Sequence, residues 1–427
     1  MFDSRIKYMM SALAGVCMMA GSAAADQLPE FWHYMGTGGE YDGVKGMIEA
    51  VNKQNPSAPV TERAVPGNAP GLRQQIQVAV MGGTPPLAYQ FNMGWDLVKV
   101  AETGRVLPID DVWQKIDGDK AFPAGLRNVV SFGGHHYAIP LAISVISDVY
   151  YNKKMFADLG LKPPASWEDW QEICKKVEAA GKACLSHNAG FPWGLYNMYS
   201  VIISDLGIDG YWKLARGELA FNGPEMRGVF EHYGELFGKH YIKNWTGNTA
   251  WSDGADVLMR GDAAMLMAGS WMAGYMKTRG WKPGEDFDFF SAPGVKCYTI
   301  FQMDTAVALK GDREEQAKTL MASLASPEAQ AALNAPKGSI AGNINTPKSI
   351  YDTLATRQVD DFIGTTGRTA VPNLLVLQPV DFRVTLGSQI ERFAANPTKE
   401  ALETAVETLE KERQKLIATK SFYPWQP

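Results

Sequence analysis

Residues 30–104 alternate strand-like and helix-like stretches separated by glycine-rich turns, and that alternation restricts the chain to a few architectures. EFWHYM (30–35) reads as a strand and GTGGE (36–40) as a turn. YDGVKGMIEAVNK (41–53) reads as a helix carrying Val44, Met47, Ile48 and Val51 on one face. APVTERAV, a helical LRQQIQVAVMGG, PLAYQFN and a further helical run to Gly104 repeat the pattern. Strand, turn and helix in succession predict an α/β fold with a largely parallel sheet flanked by helices.

A chain of 427 residues exceeds one ordinary core, so two domains are expected. At GGHHYAIPLAISVISDVYYNKKMF two extended apolar runs follow each other without a helix between them, as at a crossing between lobes. Residues 148–290 are richer in Trp and Tyr, with a helix start at Ser166 and Asp169. SAPGVKCYTIFQMDTAVALKG is a second long extended run. It is followed by a helix burying Ala317, Leu320, Met321 and Leu324, and by another opened by Ser326 and Pro327. Residues 398–420 form an amphipathic helix with Leu402, Ala405, Val406 and Leu409 inward. Three crossings, near 137–146, 292–308 and 336–345, then divide the chain into 26–140 plus 293–340 and 141–292 plus 341–427.

The first residues read as a secretory signal: Arg5 and Lys7, an apolar run over 8–20, then Ala23, Ala24 and Ala25, with cleavage before Asp26. The run is too short to span a bilayer, which takes roughly 20 residues, and Val16 before Cys17 argues against a lipidated cysteine. A net charge of −5 leaves no electrostatic footprint for nucleic acid. In an oxidising compartment Cys174 and Cys184 are candidates for a disulfide, two reduced buried thiols being the alternative; Cys297 has no evident partner.

Chemical motifs are few. Gly36 and Gly38 stand where a dinucleotide fingerprint would begin, but Tyr41 occupies the place of its third glycine. There is no P-loop and no G-x-S-x-G, and His135–His136 lacks metal-ligand spacing around it. Paired carboxylates for glycoside hydrolysis remain open. GDAAMLMAGSWMAGYM (261–276) is the unusual stretch: small, unbranched residues lead to one large flat side chain, Trp271.

FWHYMGTGGEYDGVKGMIEAVNKQNP resembles the first strand, turn and helix of the extracellular solute-binding proteins of ABC sugar importers, in the maltose-binding-protein-like superfamily. GGTPPLAYQFN, GRVLPIDDVW, GGHHYAIPLA, YYNKKMFADLGLKPPASWEDW, GDAAMLMAGSWMAGYM, KPGEDFDFFSAPG and SPEAQAALNAPKGSI continue the likeness in order, most closely to the glucose- and mannose-type proteins. The resemblance implies a type II periplasmic-binding-protein fold, two lobes each built on a mostly parallel sheet flanked by helices and joined by three crossings. It also implies that Trp271 stacks on a sugar, whose C–H face suits an indole while fixed polar groups suit its hydroxyl edge; the alternative is a core Trp.

Further positions carry over from that resemblance. Glu40 matches an acid that accepts sugar hydroxyls, or is simply a helix-start carboxylate. Trp32 and His33 fall where the family has a Trp pair. Asp304 matches a family Asp after the return to the first lobe, and Lys337 a donor to hydroxyls. Asn92 stands where glucose binders carry Lys, and RTAVPNLL lacks the expected His, so glucose is not secured. Trp193 and Trp251 are pocket candidates with a core role equally open.

The implied function is a periplasmic, monomeric, non-enzymatic component that uses no metal or cofactor. It closes on a sugar or sugar derivative and delivers it to the permease subunits of an ABC transporter. The alternatives are a binder of a non-sugar or anionic solute, such as a glycerol phosphate or sulfonated sugar, and a secreted carbohydrate hydrolase.

Overall fold

The computed structural model describes residues 28–295 and 297–426, so the expected signal segment lies outside the described residues. The expected opening motif is there. Strand β1 (Glu30–His33) pairs in parallel with β2 (Thr61–Ala64) and β3 (Ala88–Asn92), with helices Gly38–Gln54 and Asn68–Met81 as the connections. Val44, Met47, Ile48 and Val51 are buried on the first helix as the periodicity predicts. A small hairpin, β4 (Ser131–Phe132) and β5 (His135–His136), precedes β6 (Ile139–Val145), which joins the same sheet.

The chain then passes into a second sheet of β7 (Asp148–Asn152), β8 (Ala183–Ser186), β9 (Ala263–Met267) and β10 (Phe287–Ser291), in the order β10-β7-β9-β8. It returns through β11 (Tyr298–Ala308), a central strand of the first sheet, which also takes in β12 (Ile340–Ala341) and β13 (Thr369–Pro372). Only part of this is parallel. β11 runs against both β3 and β6, and in the second sheet only β8 and β9 are parallel. The direction has a simple origin: the strand leaving the first lobe and the strand re-entering it lie side by side and point oppositely.

The pairing also departs from the expected division of the chain. β6 belongs to the first sheet through Val145, past the expected boundary at 140, and β13 returns to it from within the segment assigned to the second lobe. Between β12 and β13, helix Thr353–Phe362 sends Leu354 into the apolar cluster of Tyr150, Leu266, Met272 and Phe287 against the second sheet. The C-terminal part therefore passes between the lobes more than once. Its last helices, Val380–Ala395 and Lys399–Ala418, pack on Trp193–Ala215 and Pro224–Leu236.

The crossings are bonded to one another at Ser147 and Asp148. Ser147 Oγ accepts from Ile300 N at 3.1 Å and its carbonyl from Ala292 N at 3.0 Å. Asp148 accepts from Ser291 Oγ at 3.1 Å and from Gln358 Nε2 at 2.8 Å. Burial pushes the Asp148 carboxyl up to about 6, against the opposing pull of Gln358 and Arg368. Cys174 and Cys184 form a disulfide tying helix Trp167–Ala179 to β8, and Cys297 is free and exposed. A loop this short is worth roughly 3 kcal/mol in the chain-entropy model.

Candidate binding cleft

The two lobes enclose a cleft of about 800 Å³. One wall is set by the packing of helix Gly38–Gln54 on helix Pro327–Lys337. Gly39 and Gly43 allow that approach, since a Cβ would lie 2.1 Å from Pro336 O at the first and 2.4 Å from Leu333 O at the second. The second helix starts on the Ser326 cap and ends at Gly338, which adopts φ 75°, so Lys337 stands in its last turn. Glu40 stands in the first turn of the other helix, so both charges suit their helix dipoles.

Lys337 is buried and its Nζ bonds Glu40 Oε1, with Asp304 Oδ2 at 3.5 Å. Burial pulls the ammonium down, but Glu40 and Asp304 together outweigh it and hold the group above its usual value. Asp304 faces Ala142 at an irregularity in the β6–β11 ladder, where the next residue, Thr305, faces Pro140, which has no N–H to offer. Its Oδ1 accepts from Tyr34 Oη at 2.9 Å and Gln90 Nε2 at 2.8 Å. Burial, and next the neighbouring Asp304 charge, keep the Tyr34 phenol well above its usual range and therefore a donor.

A second part of the lining is aromatic. β9 ends at Met267, and Trp271 is the first residue of helix Trp271–Thr278 rather than the end of a strand. Its indole folds back across Gly269, where a Cβ would lie 2.0 Å from ring atom Cζ3, which explains the small residues before it. Trp193 and Tyr196, one turn apart at the start of helix Trp193–Ala215, have ring centroids 6.3 and 6.2 Å from that of Trp271. Trp251 also lines the cleft and packs edge-on to Tyr275 at 5.2 Å.

Of the nine candidate positions, Glu40, Asn92, Trp193, Trp251, Trp271, Asp304 and Lys337 line the cleft, and Trp32 and His33 do not. Trp32 is buried on β1, donates to Glu30 Oε2 at 2.6 Å and lies under the Arg63 guanidinium. His33 is fully buried with Nε2 2.7 Å from Glu62 Oε2, and burial lowers its pKa more than Glu62 restores it. The side chain from this strand that reaches the cleft is Tyr34, just past the strand's end. Arg73, Tyr196, Gln302 and Arg383 line it as well and were not anticipated. Tyr196 carried a signal, being an aromatic three residues after Trp193 in a helical run, whereas Arg383 comes from a helix with no motif around it.

Residues 36–331 match the family model described as bacterial extracellular solute-binding protein. The chain belongs to this family. Among similar solute-binding proteins, an uncharacterised ABC transporter extracellular-binding protein of Pyrococcus horikoshii is 26% identical over 330 residues, covering 76% of this chain and 74% of the relative. A probable sugar-binding periplasmic protein of Rhizobium meliloti is 25% identical over 364 residues, 83% of this chain and 86% of the relative. The bacterial solute receptor AcbH, with an exclusive preference for β-D-galactopyranose, superposes with a TM-score of 0.78 at 22% identity. That match covers 91% of this chain and 98% of AcbH. A chitin oligosaccharide binding protein gives 0.77 at 18% identity, over 92% and 99% of the two chains. These two likenesses are of fold, the two-lobe type II architecture. The protein is thus an extracellular solute-binding component of an ABC transporter. Among the described residues no helix is long and apolar enough to cross a membrane.

Proposed function

We propose that the solute is a sugar or sugar derivative, held by the Trp193–Tyr196–Trp271 wall and the Glu40–Asp304–Lys337 wall. The observation that carries this reading is the presence in one cleft of buried and half-buried flat rings together with fixed donors and acceptors. A pyranose presents a matching pair of surfaces, C–H face and hydroxyl edge. The probable sugar-binding protein of Rhizobium meliloti and the galactopyranose receptor AcbH support the same reading.

Residues 1–25 act as the export signal, and the mature chain works in the periplasm as a monomer without a cofactor. Contacts from both lobes favour the closed form, which is handed to the membrane permease; chemistry on the solute is not part of the role. A ligand shifts such an equilibrium only through its different affinity for the two forms.

Thermal-shift screening of the mature chain against monosaccharides, short oligosaccharides and polyols tests this. A true ligand at 100 times its Kd adds about 2.7 kcal/mol of stability. Absence of saturable stabilisation by any saccharide rejects the sugar reading, and release of cleaved glycoside would return the hydrolase.

A further inference from the structure

The cleft lining holds two charged groups of unequal balance. In one, Lys337 serves both Glu40 and Asp304, leaving one negative charge in surplus. In the other, two guanidinium groups share one carboxylate. Arg383 Nη2 lies 2.6 and 2.7 Å from the Asp96 oxygens, and Arg73 Nη1 lies 2.9 Å from Asp96 Oδ2. Neither arginine has another acidic partner among the described residues, so this group carries one positive charge in surplus.

The two arginines differ in what they have left to give. The Arg383 side chain is 4% exposed, and its Nη1 is spent on Leu375 O at 2.8 Å. It comes from helix Val380–Ala395, packed on the second lobe, and reaches Asp96 on helix Trp95–Glu102 beside the first sheet. It is an anchor. The Arg73 side chain is 32% exposed and lines the cleft; its Nε and second terminal nitrogen have no partner among the described residues. A guanidinium with two neighbouring N–H donors free is built for a planar or tetrahedral oxyanion. Closure of the lobes around a neutral solute without acceptors would strip water from these two free N–H donors with nothing in its place, which is unfavourable.

We propose that the saccharide of this cleft carries one anionic group, a carboxylate, sulfate or phosphate, which lies against Arg73 while its hydroxyls meet the Glu40–Asp304–Lys337 group. The proposal rests on the sugar reading above and narrows it to acidic sugars.

Calorimetric titration of the mature chain with D-glucose and D-galactose, their uronates and their 6-sulfates and 6-phosphates, and with inorganic sulfate, tests it. At least one acidic sugar should bind about 10- to 100-fold more tightly than its neutral parent, the range of a charge-assisted hydrogen bond. That preference should shrink with added salt. Arg73→Gln should bring the acidic-to-neutral ratio to about one, and Arg73→Lys should restore part of it. The carboxylate, sulfate and phosphate arms identify the anion. Neutral parents binding as tightly as their acidic forms overturn the proposal and leave the sugar reading standing. Inorganic sulfate binding as tightly as any acidic sugar overturns it as a saccharide site. No binding in any arm overturns the proposal, and the wider saccharide screen then decides the sugar reading separately.

Discussion

On the Lys337 side of the cleft each charged group is already held by another protein group, whereas on the Trp271 side three half-buried or buried rings hold chiefly one another. The first wall draws on residues 34, 40, 90, 304 and 337, so it is assembled only when the whole first lobe is folded. The second draws on two short stretches at helix starts. The contrast teaches that a preorganised polar wall serves stability and recognition together, while an aromatic wall can be changed with the fold left standing.

The largest expected effect is on the polar wall. Lys337→Ala removes the cation shared by Glu40 and Asp304 and leaves Asp304 only its Tyr34 and Gln90 donors, and denaturant unfolding should show a loss of about 3–5 kcal/mol. A chain of unchanged stability would break the contrast at its base. Trp32→Ala should lose a similar amount, about 3–5 kcal/mol, because its ring is core, yet ligand affinity should survive. Weakened binding with normal stability would return Trp32 to the site.

Trp271→Ala should do the reverse. Affinity for the sugar found by screening should fall by about 2–4 kcal/mol, roughly 30- to 1000-fold, with unfolding free energy within about 1 kcal/mol of the parent. Normal binding by a destabilised protein would make this ring a core residue.

The smallest effect sharpens the comparison by pH. His187 lies behind the aromatic wall, stacked on Tyr241 at 4.0 Å; its Nε2 has no partner among the described residues, and burial lowers its pKa from 6.5 to about 3. Because folding requires the neutral ring, its contribution is complete above pH 6.5 and is lost as pH falls toward 3, by up to about 1.4 kcal/mol per unit. Asp148 acts oppositely: its raised pKa costs stability above about pH 6, and acidification toward 4 relieves that. His187→Phe should therefore flatten the acid slope of stability measured between pH 6.5 and 4. An unchanged slope would assign acid sensitivity elsewhere.

The strand-turn-helix opening was legible because local periodicity encodes it, and Trp271 stood out because Gly269 must make room for its ring. Trp32 and His33 were misplaced for a local reason. A strand of four residues buries both its faces here, one under Arg63 and one against Glu62, and only Tyr34 beyond its end turns to the cleft. The Arg73–Asp96–Arg383 group was not legible, since its members lie up to 310 positions apart and each sits in an ordinary helical context. The antiparallel pairing of β6 and β11 was equally hidden, because direction in a sheet follows from how the chain returns and leaves no mark on composition.

The junction at Ser147 bears on rates. With β6 and β11 paired side by side, Ser147 bonded to Ile300 and Asp148 to Gln358, the axis of any lobe rotation is a property of the polypeptide and not of what it carries. Solute capture then separates into an encounter step that reads chemistry and a closing step about an axis common to all solutes, whose balance each solute sets by its contacts in the two forms. Ser147→Ala, which frees the Ile300 amide, would accordingly rescale the second step by the same factor for every sugar and leave their rank order untouched.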